Sequence, residues 1–494
     1  MEMLLKKQQE IREYIEAMYN QDIYTIEAPY VILNPYETCP LSALIKFKTV
    51  EPCQIRVMIE DDLQFETSDV TTDHAITLLG LYPNKNNKVV LSIVNESKTY
   101  THYIQTGELT SDYPDIELIT AIPDKMEGRF IGMSLGKSDG VKSTHHLYSI
   151  IDDKANVRWL YTGVSCHVLQ KLKNGNLIVD APISSGICGA YTSCGFIEMN
   201  FLGEIIQFYP IKNGLHHDVI ELPNGNFLAI TQRENTKQDL LVEIDRETKA
   251  VIEEWDFRKI LDFNRPTVID KISVNHPLDW LHLNSIVYDE IDDCIIASSR
   301  NQSTVVKFEK STSNIKWILA PHDYWTDEFK PYLLTPIGQD FEWSFAQHTP
   351  NILPNRDVLL FDNGNYRSYD LANATLAYQN YSRAVEYKID ETNMSIEQVW
   401  QYGKERGSEL YCAYLGAVAP LENNKLICFG GITKDIFGNP IDDMKSNRMK
   451  NRACIMEVSS TLPAEVIFEI QMKNNDITTA HGVKCYRAEK INLY

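Results

Sequence analysis

The chain has 494 residues, 44% of them hydrophobic and 10% aromatic, which suits two or three domains with sizeable cores. Lys and Arg number 47 against 68 Asp and Glu, a formal net charge of −21. That balance argues against a nucleic-acid or membrane partner, both of which need a basic face, but leaves room for a small anionic substrate in a locally positive pocket.

The N-terminal stretch MEMLLKKQQEIREYIEAMYNQ places Leu4, Leu5, Ile11, Tyr14, Ile15 and Met18 on one face of a short helix. It carries Glu2 and lacks the apolar core of a signal peptide, so a cytoplasmic location is expected, with export only if a leader has been removed. Residues 25–115 follow with short β-type runs: YVIL, ALIKFKTV, CQIRVMIE, AITLLGLY and KVVLSIV. YPNKNN between the last two reads as a hairpin turn, and the whole predicts a small β-sandwich. Punctuation around Asp112-Tyr113-Pro114-Asp115 sets the boundary, giving a helix-plus-sandwich domain at 1–118 and a second domain at 119–494.

In the second domain one element recurs: strand, Asn-type turn, strand. It occurs as LQKLKNGNLIV (169–179), IELPNGNFLAI (220–230), NILPNRDVLLF (351–361) and VAPLENNKLICF (418–429), with a divergent copy SIVYDEIDDCIIAS (285–298). Six further strands end in aromatics, at Trp159, Phe208, Trp255, Trp317, Trp400 and Phe468. Four strands per unit, repeated in this way, predict an all-β, six-bladed β-propeller whose closing aromatics pack blade on blade. The tail 481–494 is expected to pair with the 125–160 segment and close the ring.

The turn residue supplies a register. Seven positions before Asn174, Asn224, Asp289 and Asn355 stand His167, His217, His282 and His348; before Asn423 stands Gly416. The first strand of every blade lines the propeller axis, so these positions form a ring at one mouth of the channel. A lone strand histidine is usually a packed residue; four in register out of 12 in the chain point to a site. Three readings fit: a metal centre of the kind found in a hydrolase or lyase, nucleophilic or acid–base catalysis on an anion, or a non-catalytic binding propeller. Arg300, which ends the strand after His282, favours an oxyanion, because a fixed guanidinium opposes a cation and forks onto a sulfate or phosphate.

LHHDVIELPNGN (215–226), DWLHLNSIVYD followed by IIASSRN (279–301), and FAQHTPNILPN followed by LLFDNGN (345–365) resemble the bacterial arylsulfate sulfotransferases. The resemblance spans roughly 120–494 and implies a six-bladed propeller behind an N-terminal β domain. It implies transfer of a sulfuryl group from a phenolic sulfate ester to a phenol by a ping-pong route, with no nucleotide, metal or other cofactor. It implies that His348, the histidine of QHTP, is the nucleophile that forms a sulfohistidine. His282 and Asn284 match the DWxHxNS motif, Arg300 matches the arginine 18 residues beyond its histidine, and the HHD motif supplies His217 or His216. The expected division of labour has Arg300, His217 and Asn284 donating to the sulfuryl oxygens and His282 exchanging the proton. His167 stands outside these motifs and is a candidate on register alone.

The resemblance also implies pairing of two chains through the N-terminal region. Exported members carry a disulfide shortly before QHTP, whereas 318–347 here holds no Cys. The ten cysteines are scattered without a CxxC, and Cys294 and Cys428 sit in apolar strand patterns, so free thiols in a reducing compartment are expected. No GxxxxGK[ST] phosphate loop occurs. Tyr191, Tyr411 and Tyr414 lie on loops that could contact a phenol ring, and the 432–450 segment reads as solvated surface.

Overall fold

The computed structural model describes residues 1–494 other than 112, 139–142, 164–166, 183–191, 234–235, 267–278, 436, 442–448 and 474–481. Tyr191 and much of the 432–450 segment therefore lie outside the described residues. Among the described residues no helix is long and apolar enough to cross a membrane.

The chain opens with the helix Glu2–Tyr19. Its inward face runs through Leu4, Gln8, Ile11, Ile15 and Tyr19, at helical spacing. Gln8 is part of that face because its amide donates to the carbonyl of Gly203 (2.8 Å) and accepts from the N–H of Ile205 (2.6 Å). Leu5 and Tyr14, expected inside, are exposed.

The sandwich that follows has one sheet of three strands (Tyr30–Leu33, Ala43–Cys53, Thr71–Leu78) and one of four (Leu63–Glu66, Ile55–Ile59, Asn86–Ile93, Tyr100–Gln105). Alternating residues such as Ile45, Phe47, Val57, Leu78, Val89 and Leu91 fill the space between the sheets. YPNKNN is not a hairpin turn. The strands on either side belong to different sheets, and the segment is a crossing held by Asn87, whose amide bonds the backbone of Tyr82 in both directions (2.8 and 3.0 Å).

Six sheets then form the blades, antiparallel except for the short outermost strand Thr335–Ile337, which pairs in parallel in blade five. Their innermost strands are Gly482–Lys490, Leu169–Lys171, Val219–Glu221, Leu283–Asp289, His348–Ile352 and Ala417–Pro420, for blades one to six. The first of these is the C-terminal strand, which pairs with Ile131–Ser138 and closes the ring as expected. All six aromatic-bearing strands are the fourth strands of their blades. Asp115–Ala121 adds a fifth strand outside blade six, so the boundary expected at 118 falls within a strand of the propeller.

Six apolar clusters fill the contacts between consecutive blades, one per contact. The tryptophans show how each contact is fixed. Trp159, Trp255, Trp317 and Trp400 each donate their indole N–H to the next blade, to the carbonyl of Phe201, the carbonyl of Lys310, Glu391 and the carbonyl of Thr461, at 2.8–3.3 Å. A buried indole needs such a partner, and the neighbour's turn supplies it. The sandwich docks on blade one through Asp62, which accepts from Arg129 (2.7 Å) and from the fully buried Arg158 (2.9 Å).

Candidate active site

The Asn-Gly turns do what the register needs. Gly175 and Gly225 hold φ near +88°, which a side chain resists, so each hairpin turns in the same place and the residue seven positions earlier reaches the same mouth. The backbone at that mouth is itself constrained. His217 sits at φ +60° in a three-residue turn closed by the N–H of Asp218 to the carbonyl of His216 (2.7 Å), and His282 sits at φ +55°. Non-glycine residues in this region carry strain that surrounding contacts must hold. At the empty register position, Gly416 has φ +101°, and a Cβ there would come within 2.3 Å of the Phe361 ring, so blade six has no room for a fifth histidine.

The structure brings the candidates together. The ring of His167 lies 5.1 Å from His217 and 5.6 Å from His216, and that of His282 lies 4.9 Å from His217. His348 and Arg300 complete the group; both are buried, and the charges of Arg300 and His282 act on His348. Among the described residues, no three His, Cys, Asp or Glu side chains are arranged to hold a metal ion.

His348 is fixed by Asn363, a residue that sequence reasoning missed. The Asn363 amide nitrogen donates to the carbonyls of Cys412 (3.0 Å) and Leu415 (2.6 Å). Its oxygen therefore faces His348 Nδ1, 2.6 Å away, and accepts from it. That assigns the proton to Nδ1 and leaves the lone pair on Nε2. Burial first, then the charges of Arg300, His282 and Arg487, hold the His348 pKa down to about 3, against the opposing pull of the Asn363 bond. The imidazole is neutral at physiological pH.

His282 is treated differently. Its Nδ1 lies 2.9 Å from Asp279 Oδ2, and the side chain keeps 19% exposure. Burial disfavours the Asp279 carboxylate, but His282 and Arg300 outweigh it and keep the group below the usual carboxylate range. Asp279 fixes the His282 ring through that Nδ1 contact.

The HHD pair resolves into a front and a back. Gln238 donates to His216 Nε2 (2.7 Å), and His216 and His217 meet through their Nδ1 atoms. With His216 Nε2 accepting, its Nδ1 holds the hydrogen and donates to His217, which is left with an N–H on Nε2. His217 is coupled electrostatically to His282, His167 and His348. Burial holds both well below the ordinary histidine value.

Asn284 is fully buried, and its amide donates to the carbonyl of Gln347 (2.8 Å), so one of the two N–H groups expected for substrate is engaged in holding the residue before His348. Arg300 donates to Asn301 (3.2 Å) and to the carbonyl of Ala413 (3.3 Å). His167 is anchored through its backbone N–H to Asp180 (2.6 Å), and burial, Lys484 and Arg487 lower its pKa to about 3. Tyr411 and Tyr366 act electrostatically on Arg300. Two further residues missed from the sequence, Tyr486 and Arg487, come from the closing strand: Tyr486 packs its ring 4.7 Å from that of His167.

Imidazoles clustered on the axis with a buried guanidinium are the groups of a propeller enzyme that handles an anion. The family model for arylsulfotransferases (ASST) matches residues 117–487, and that for the arylsulfotransferase Ig-like domain matches 30–108. The chain belongs to the arylsulfotransferase family and is a sulfotransferase. It is similar to the arylsulfate sulfotransferase AssT of Escherichia coli O6:H1 (25% identity, 81% of this chain and 84% of the relative). It is also similar to that of Lelliottia amnigena (26% identity, 77% and 81%).

Proposed function

We propose that the protein moves a sulfuryl group from an aryl sulfate ester to a phenol in two steps through a sulfohistidine at His348. Nε2 of neutral His348 attacks sulfur while the S–O bond to the aryl group breaks. The leaving phenolate takes a proton from His282, and the SO3 group stays on Nε2 of a ring still bonded to Asn363 through Nδ1–H. A second phenol then gives its proton to His282, its oxygen attacks sulfur, and the N–S bond breaks to restore the neutral imidazole. Charge on the transferring group spreads over three oxygens, as in phosphoryl transfer. Arg300 and the Nε2–H of His217 would donate to those oxygens, each typically worth ~3–4 kcal/mol in such a role.

The observation that carries this reading is the Asn363 bond, which presents Nε2 as a neutral nucleophile within the field of Arg300. The test mixes the full chain with a chromogenic aryl sulfate, without nucleotide or acceptor. One equivalent of phenol should appear in a burst, and the protein should gain the mass of one SO3 group on His348, which added phenol then removes. Release of inorganic sulfate with no sulfated phenol would overturn the transferase reading; turnover by His348→Ala would overturn the covalent step.

A further inference from the structure

The strand that closes the ring reaches across it. Arg487 leaves the inner strand of blade one, and its Nη1 donates to Asp218 Oδ1 of blade three (2.7 Å). Its Nη2 donates to the Ser285 hydroxyl (3.3 Å) and the Asn284 carbonyl (3.4 Å) of blade four. Tyr486 donates its hydroxyl to the same Asn284 carbonyl (2.9 Å). The other oxygen of Asp218 accepts from the Ile286 N–H (3.0 Å) and the Ser285 hydroxyl (3.2 Å). Asp218 is 2% exposed and directly follows His217, so the carboxylate that Arg487 grips belongs to the turn that aims His217.

We propose that Arg487 is a positioning residue for sulfuryl transfer: it ties the His217 turn to the Asn284 strand across the axis and places a permanent positive charge beneath the histidines. Asp218 is its counterion; removing one partner would strand the other charge in a low-dielectric site. Arg487 keeps 26% exposure, so it is not a sealed core pair. The charged and titratable groups around it are Asp218, Glu489, Tyr486, His167 and His348. Of these, His348 and His167 are disfavoured as cations by its charge, in the same sense as Arg300 acts on His348.

The inference rests on the transfer reading, and its test separates the two. Arg487→Met and Arg487→Lys are made in the full chain and assayed with a chromogenic aryl sulfate and phenol across pH. Arg487→Met is expected to lose about 10²-fold in kcat with little change in KM, the cost of a small misplacement of donors. Its acid limb should move to higher pH, because His348 loses a neighbour that opposes protonation. Arg487→Lys should keep the acid limb and lose rate, since the charge remains and the fork does not. Should Arg487→Met fail to fold, the pair Arg487→Met with Asp218→Asn removes both charges and is read the same way. Histidine titration by NMR follows His348 and His167 without turnover, so it reports on Arg487 even if the wild type transfers no sulfuryl group. A folded variant with wild-type kcat and unmoved histidine titrations overturns the proposal.

Discussion

The mouths of blades four and five carry a histidine at the same register position and use it in opposite ways. His348 is sealed, and its Nδ1 meets a neutral amide. His282 is partly open, and its Nδ1 meets an ionised carboxylate. A neutral partner fixes the ring without inviting a proton, which suits a nucleophile. A carboxylate fixes the ring and can support positive charge on it, which suits an acid and base. In the proposed reaction blade five would carry the group and blade four the proton, and the difference lies in one atom type beside each ring.

That contrast can be broken outright. His348→Ala should lose transfer by at least ~10⁴-fold, measured as phenol release from an aryl sulfate, because a nucleophile has no substitute among the donors. Arg300→Lys comes next, with a loss of ~10²–10³-fold in kcat from one missing fork, read in the same assay. Asp279→Asn should cost about 10²-fold with a phenol of high pKa as leaving group and far less with a nitrophenol, since a good leaving group needs no acid. A uniform loss across leaving groups would dissolve the division of labour. Asn363→Asp sharpens it: giving blade five the partner of blade four should raise the His348 pKa, move the acid limb of kcat/KM upward and lower the rate near neutrality by about tenfold.

The smallest effect concerns stability. His348 and His167 have their pKa lowered from 6.5 to about 3. The unfolded chain therefore takes up protons below pH 6.5 that the folded chain refuses until about pH 3. Stability is expected to fall as pH drops from 6.5 toward 3 and to be insensitive to these groups above 6.5. Denaturation midpoints at pH 7.5, 6 and 5 check this, and a double His348→Asn, His167→Asn variant should flatten the slope.

Much of the architecture was legible because it repeats. The Asn turns marked the inner strands, the aromatics marked the outer ones, and counting between them found four imidazoles that belong to one site. The sandwich had no such ruler. Nothing local in YPNKNN says that the strands beside it pair with Ile55–Ile59 and Ala43–Cys53 rather than with each other. The supports of the site were hidden for a related reason. Asn363 acts through its hydrogen bonds to 412 and 415, and Arg487 through a contact 269 residues back along the chain. Their meaning lies in closure of the ring, which no window of sequence contains. The choice between His216 and His217 depended on Gln238, which carries no motif of its own.

The closing strand also dictates a timetable. Gly482–Lys490 is the inner strand of the first blade, yet it is made after the strands of all the others, and Tyr494 stacks on Phe65 of the sandwich at 3.7 Å. Until then, Ile131–Ser138 waits with an unpaired edge, a surface that invites wrong partners. A nascent chain can complete blades two to five during synthesis but cannot assemble the floor beneath His167 and His217. A chain that stops before Gly482 lacks Tyr486 and Arg487, and with them the contacts to the His167 ring and the His217 turn.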